Sequence, residues 1–146
     1  MFQPEPPLIA WVIVSIVALA VLAVIGAFVW SMFAGKRGSR PERVEIRKEW
    51  GHIELLRKSH DAHGLELAVV RADRLLDHVL KARRLPGTTL GERLRVACAR
   101  DGKLSDVWWA HKMRNMIVHE NVHCEPQKLS AALKEFEKAL KRLGAL

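Results

Sequence analysis

Residues 65–79 read LELAVVRADRLLDHV, and their apolar positions recur with the spacing of an amphipathic helix. Seven of the apolar side chains fall within a narrow arc: Leu65, Ala68, Val69, Ala72, Leu75, Leu76 and Val79. This helix is expected to end before Pro86-Gly87, a pair typical of a turn. An apolar stripe of this kind is buried against other helices, so the stretch predicts an all-α core.

Further helices are predicted on both sides of this stripe. Residues 43–58 place Ile46, Trp50, Ile53 and Leu56 on one side of a helix. A capping box at Thr89 and Glu92 predicts the start of a third helix, and Asp101-Gly102 predicts its end. Ser105 can cap the next helix, which runs to about Val122, and Pro126 fits the first turn of a last helix. There is no alternating strand pattern and no internal repeat. We therefore expect a compact bundle of four to five helices over residues 43–146.

An uncharged apolar run precedes the bundle at residues 8–34. As a helix it would measure about 40 Å, which exceeds the roughly 30 Å thickness of a bilayer's hydrocarbon core. Residues 1–7 contain no Lys or Arg, and the run is about twice as long as a signal-peptide core, so cleavage is not expected. The run predicts one transmembrane helix that stays as an anchor.

The distribution of charge predicts an orientation and two kinds of partner. Every Lys and Arg lies after position 35, which places residues 1–7 outside and the bundle in the cytoplasm, at the inner membrane. A basic linker at 35–42 contains Lys36, Arg37 and Arg40, and Arg43 directly follows it. These four side chains would contact anionic lipid of the bilayer. Residues 36–146 carry a net charge of +9, which also suits a polyanion such as RNA. Composition does not separate these partners.

The candidate chemistry lies in the helix predicted after Ser105. Arg114 falls on the apolar side of this helix, where its charge needs a partner, and Asp73 or Asp77 of the helix before Pro86 could supply one. His119 lies about 140° around the axis from Arg114. It shares a polar flank with Asn115, Lys112, His111 and Trp108. A second copy of the helix, packed about a two-fold axis, would bring the arginine and the histidine together more easily than one helix can.

The sequence RNMIVH at residues 114–119 resembles the signature of HEPN domains, in which an arginine, a polar residue and a histidine occupy one helix of an all-α bundle. The resemblance implies a homodimer that binds RNA or cleaves it without a metal or other cofactor. In that case His119 would act as general acid or base and Arg114 would stabilise charge on the phosphate. Asn115 would orient the phosphate or fix the histidine tautomer, and Asp73 would hold the arginine.

Two other interpretations remain open for the same residues. In the first, Arg114 and Asn115 complete a buried polar network, His119 is merely exposed, and the bundle is a non-catalytic adaptor for an unknown protein. In the second, His119-Glu120-Asn121-Val122-His123 matches a zinc motif in which the histidines bind metal and Glu120 activates water. The nearby Pro126 places this motif in the last turn of its helix, and an all-helical domain lacks an edge strand for a peptide substrate, which argue against a protease.

Two tryptophans and two cysteines complete the list of candidates. Trp108 and Trp109 point about 100° apart, and the sequence places Trp109 nearer the core and Trp108 beside His119, either packed or as a platform for a stacked base. Cys98 and Cys124 form no CxxC pair, so we expect reduced thiols that take part in packing.

Overall fold

The computed structural model describes the backbone of residues 8–33, 40–59, 61–120 and 123–146, and the side chains of 11–27, 42–59, 61–120 and 123–146. The chain divides into two units, Met1–Lys36 and Arg37–Leu146.

The first unit contains helix α1 (Leu8–Phe33), whose described side chains at 11–27 are all exposed. No helix in the described part of the chain is long and apolar enough to cross a membrane. This finding contradicts the predicted transmembrane helix at 8–34.

The predicted lipid contacts fall mostly on residues that the structure does not describe. Lys36, Arg37 and the side chain of Arg40 lie outside the described residues, as does most of the predicted linker at 35–42. Helix α2 already begins at Arg40, and Arg43 is half-buried within it. The linker therefore ends earlier than the sequence predicted.

The second unit is an all-α bundle of five helices, which confirms the predicted fold of this part. Its helices are α2 (Arg40–Lys58), α3 (Ala62–Ala82), α4 (Leu90–Arg100), α5 (Val107–His119) and α6 (Pro126–Arg142), with a short 3₁₀ turn at Gly102–Leu104. Helix α3 is central and packs against each of the other four. Its predicted stripe is buried throughout, together with Phe136 and Leu140 of α6. The free cysteines Cys98 and Cys124 pack against this core.

The turn between α3 and α4 is held by one buried arginine. The predicted capping box is present, since Thr89 Oγ1 accepts from Glu92 N and the Glu92 carboxylate accepts from Thr89 N. Arg93 is only 4% exposed and donates to Asp77 Oδ1 and to the carbonyls of Gly87 and Thr88. Gly87 has φ +139°, and a Cβ there would lie 2.8 Å from Glu92 Cβ, so this position requires glycine.

Both ends of α5 differ from the predicted ones. Ser105 does not cap the helix as predicted, because its hydroxyl donates instead to the carbonyl of Gly102 in the 3₁₀ turn. The N-cap position is Asp106, whose side chain makes no capping hydrogen bond. Helix α5 ends at His119, not near Val122, whereas Pro126 occupies the first turn of α6 as predicted. The motif histidine is therefore the last residue of its helix.

Candidate functional site

Asp73 lies at the centre of a polar cluster between α3 and α5. It is 5% exposed, and its Oδ1 atom lies 2.7 Å from Nδ1 of His111. Its Oδ2 atom lies 3.3 Å from Nε of Arg114, so the ion pair that the sequence predicted with Asp73 is present. The Arg114 Nε–H is buried without a hydrogen bond of good geometry, so this contact is an ion pair and not a directed bond. One buried carboxylate thus holds two side chains of α5.

Asn115 closes this cluster into a ring. Arg114 Nη1 donates to Asn115 Oδ1 over 3.0 Å, which sets the direction of the amide because a guanidinium only donates. The amide Nδ2 then faces Nε2 of His111 at 3.4 Å. The histidine whose tautomer Asn115 can influence is therefore His111, whereas the sequence analysis had proposed a role toward His119.

The ring lies in the wall of a cavity of about 510 Å³. The cavity is lined by Asp73, Arg74 and Asp77 of α3, Thr89, Leu90 and Gly91 at the start of α4, and His111, Arg114, Asn115 and His119 of α5. One chain therefore brings Arg114, Asn115 and His119 to a common space, although the sequence analysis had expected a second copy to make this easier.

Two side chains in the cavity wall, those of Arg74 and His119, contact no partner in the described part of the chain. Among the residues that the structure describes, neither Arg74 nor His119 has a hydrogen-bond or ion-pair partner, and both are exposed. Asp77, the second acidic residue of the wall, is already paired with Arg93 and Lys81. Burial raises the pKa of Asp77, but the hydrogen bonds from Lys81 and Arg93 outweigh it and leave the pKa below its ordinary value. The free groups of the cavity are thus those that attract an anion.

Part of this wall was not predicted from the sequence. Arg74 was not among the predicted site residues, although it directly follows Asp73 on α3. Thr89 and Gly91 were not predicted to line the cavity either. No local sequence pattern indicates this, since the approach of α4 to α5 is a tertiary contact. The alternation of acidic and basic residues at Asp73, Arg74 and Asp77 was the one available clue.

The structure does not form the geometry that the zinc motif requires. Helix α5 ends at His119, and Glu120 is its C-cap, so His123 does not follow one helical turn later. His123 instead places Nδ1 3.2 Å from Glu66 Oε1 on α3. Across the described part of the chain, no group of three possible metal-binding side chains is found. The predicted pair of histidines one turn apart is therefore wrong.

The structure reverses the exposure predicted for the two tryptophans. Trp109 is 43% exposed, whereas Trp108 is half-buried against the core. Trp108 packs edge-on against His111, not beside His119 as expected, with ring centroids 6.0 Å apart. Burial raises the pKa of the Cys98 thiol, and a hydrogen bond from the Trp108 indole opposes this rise. Trp108 therefore packs against both the core and the ring of His111.

A search among protein-family models, curated proteins and solved structures finds no match to this chain. The resemblance to HEPN domains therefore depends on residues 114–119 and on the helix that carries them. Function has to be argued from the cavity itself.

Proposed function

We propose that the chain binds single-stranded RNA at the cavity between α3, α4 and α5 and cleaves it without a metal ion. The observation that carries this proposal is the common cavity of Arg114, Asn115 and His119. Arg74, which has no partner among the described residues, lies in the same wall. A phosphodiester is an anion, and cationic side chains attract it whatever its base sequence. The net charge of +8 over the whole chain acts in the same direction.

The side chains of the cavity are of the kinds that RNA cleavage needs. An imidazole can transfer a proton to the oxygen that leaves phosphorus, and His119 is exposed and unpaired in the described part of the chain. A guanidinium beside the phosphate would stabilise the charge that develops on its oxygens. Arg114 is held by Asp73 and Asn115, so its position is set before a ligand binds.

Replacement of His119 by alanine tests this function. We expect the wild-type chain to cut single-stranded RNA in the presence of EDTA, and the His119→Ala variant to cut it about 10²- to 10⁴-fold more slowly, the range for loss of a general acid or base. The measurement is the initial rate of cleavage of a labelled oligonucleotide.

The matched control for this experiment is His52→Ala. His52 is an exposed histidine of α2 that does not line the cavity, so its replacement should leave the rate unchanged. Equal cleavage by the wild type and the His119→Ala variant would show that the activity comes from a contaminant and would remove the nuclease proposal.

A non-catalytic interaction module is the second candidate, and the closed ring favours it. Asp73, His111, Asn115 and Arg114 already satisfy much of one another's hydrogen bonding within one chain. A ring of this kind can serve to fix α5 against α3 without any chemistry. RNA binding that weakens with salt, without cleavage, would support this module over the nuclease.

We also propose that two copies associate through α5. Trp109 and Met116 are 43% and 38% exposed, and their seven-residue separation places them about 20° apart on the helix. A second copy is the occupant that we favour, because a two-fold axis would set the apolar strip of Trp109 and Met116 against the same strip of the other copy, as the resemblance to HEPN domains implies.

The variant Met116→Glu tests this association. It places a charge in the apolar strip, and we expect the chain to change from dimer to monomer in light scattering coupled to size-exclusion chromatography. Leu67→Glu is the control, since Leu67 is a comparably exposed leucine of α3 and its replacement should leave the dimer intact. A monomeric wild-type chain at high micromolar concentration would contradict the proposal.

A further inference from the structure

We infer that His111, held by Asp73, is a second acid–base group of the cavity, which takes the proton from the attacking 2′-hydroxyl of the RNA. His119 is then left to protonate the oxygen that leaves. The inference rests on the proposed RNA cleavage and assigns a role that the motif at 114–119 does not contain.

The contact between Asp73 and His111 positions the imidazole for this role. As an ionised carboxylate Asp73 only accepts hydrogen bonds, so Nδ1 of His111 donates to it over 2.7 Å. The side chains of the two residues are 7% and 12% exposed, which limits competition from water. A neutral His111 therefore carries its proton on Nδ1 and its lone pair on Nε2.

The Nε2 atom of His111 faces a space that a substrate oxygen can enter. Its neighbour on α5 is Asn115 Nδ2 at 3.4 Å, a long contact that a closer hydrogen bond would displace. On the α4 side stands Gly91, where a Cβ would lie 3.8 Å from Nε2, so the absence of a side chain leaves that approach open. Both residues belong to the cavity wall.

The surroundings of His119 differ from those of His111, as its proposed role of protonating the leaving oxygen requires. His119 lies at the exposed end of α5 and has no hydrogen-bond or ion-pair partner among the described residues. The charged groups that face His111 are Asp73 and Arg114, and the indole of Trp108 packs on its ring. Two imidazoles in different surroundings thus line one cavity.

The step balances with these two side chains alone. Neutral His111 takes the 2′-hydroxyl proton on Nε2 while the 2′-oxygen forms a bond to phosphorus. The bond from phosphorus to the 5′-oxygen breaks, and protonated His119 gives its proton to that oxygen. The products are a 2′,3′-cyclic phosphate and a 5′-hydroxyl end, and exchange of one proton each with water restores both histidines.

The pH profile of cleavage by the full chain tests this assignment. We expect a bell-shaped profile for the wild type, because one histidine must be neutral and the other protonated. In the His111→Gln variant the rate should fall about 100-fold or more, with RNA affinity within about threefold, and the acidic limb of the profile should disappear. The His119→Gln variant should lose the alkaline limb instead. A His111→Gln variant that keeps the wild-type rate and profile would overturn the inference.

A second measurement needs no activity and uses the unmodified chain. Nitrogen-15 NMR of the histidine rings distinguishes the two neutral tautomers, and we expect the proton of neutral His111 on Nδ1. A proton on Nε2 would overturn the inference, because that nitrogen could then accept nothing. A wild-type chain that fails to cut RNA would instead overturn the proposed function, and this inference with it, whereas a cutting wild type with an unaffected His111→Gln variant overturns this inference alone.

Discussion

Replacement of Asp73 by alanine is expected to lower the free energy of unfolding of the bundle by about 3 kcal/mol. The carboxylate is 5% exposed, and its loss would leave His111 and Arg114 without the acceptor that both of them contact. Breaking a buried ion pair by removing one partner typically costs about 3–5 kcal/mol. We expect the lower end of this range because Arg114 is 27% exposed and water can reach part of its guanidinium.

Urea denaturation followed by circular dichroism measures this change. The informative control is Asp73→Asn, which keeps the volume of the side chain and an oxygen acceptor for one of the two partners but removes the charge. It should cost about half as much as the alanine variant, since the network is only partly lost. A loss below about 1 kcal/mol for Asp73→Ala would show that the ring contributes little to the stability of the bundle.

Replacement of Arg93 by alanine is expected to have the largest effect on stability of any single change in the turn between α3 and α4. Arg93 is 4% exposed, pairs with Asp77 and satisfies the carbonyls of Gly87 and Thr88. The variant would leave those carbonyls without their donor and reduce the partners of Asp77 to Lys81. We expect a loss of about 3–5 kcal/mol, the usual cost of breaking a buried ion pair.

In a thermal melt this loss corresponds to a fall in Tm of roughly 10 °C or more for a unit of this size. The control is Arg95→Ala, because Arg95 is an exposed arginine of the same helix and its replacement should stay within about 0.5 kcal/mol. A comparable effect of both variants would mean that helix propensity, and not the buried pair, determines the result.

The contribution of Arg93 also depends on pH in a defined direction. The pKa of Asp77 is lowered from its ordinary value of 3.8, so the native state favours the ionised carboxylate. Stability from this pair is therefore fully present above pH 3.8 and is lost as the pH falls through the lowered pKa. The difference in stability between the wild type and the Arg93→Ala variant should accordingly shrink in strong acid.

The elements that the sequence predicted well share one property: their signals are local. The capping box at Thr89 and Glu92 joins residues three positions apart, and the buried stripe of α3 repeats every three to four residues. Pro126 likewise acts within the first turn of its own helix. In each case the hydrogen bonds or the burial that stabilise the element involve neighbours along the chain.

The predictions that were wrong concern the length or the surroundings of an element. The apolar run at 8–34 was predicted to span a membrane, whereas no described helix is long and apolar enough to do so. Ser105 and the end of α5 were misjudged because a 3₁₀ turn takes up the serine hydroxyl and the helix stops at His119. Trp108 and Trp109 differ by one position, and only the tertiary structure decides that Trp108 packs against the core whereas Trp109 is 43% exposed.

The sequence by itself therefore determined that residues 43–146 form a helical bundle. It also determined which residues of α5 are polar and which acidic residues could face them. Both follow from periodicity and charge, which are properties of a single helix. Only the tertiary structure decided that Asp73 holds His111 as well as Arg114, that Arg74 and the start of α4 complete the cavity, and that His123 turns away to Glu66. These contacts join residues as far as 57 positions apart, and their geometry follows from how three helices pack together, which no local pattern encodes.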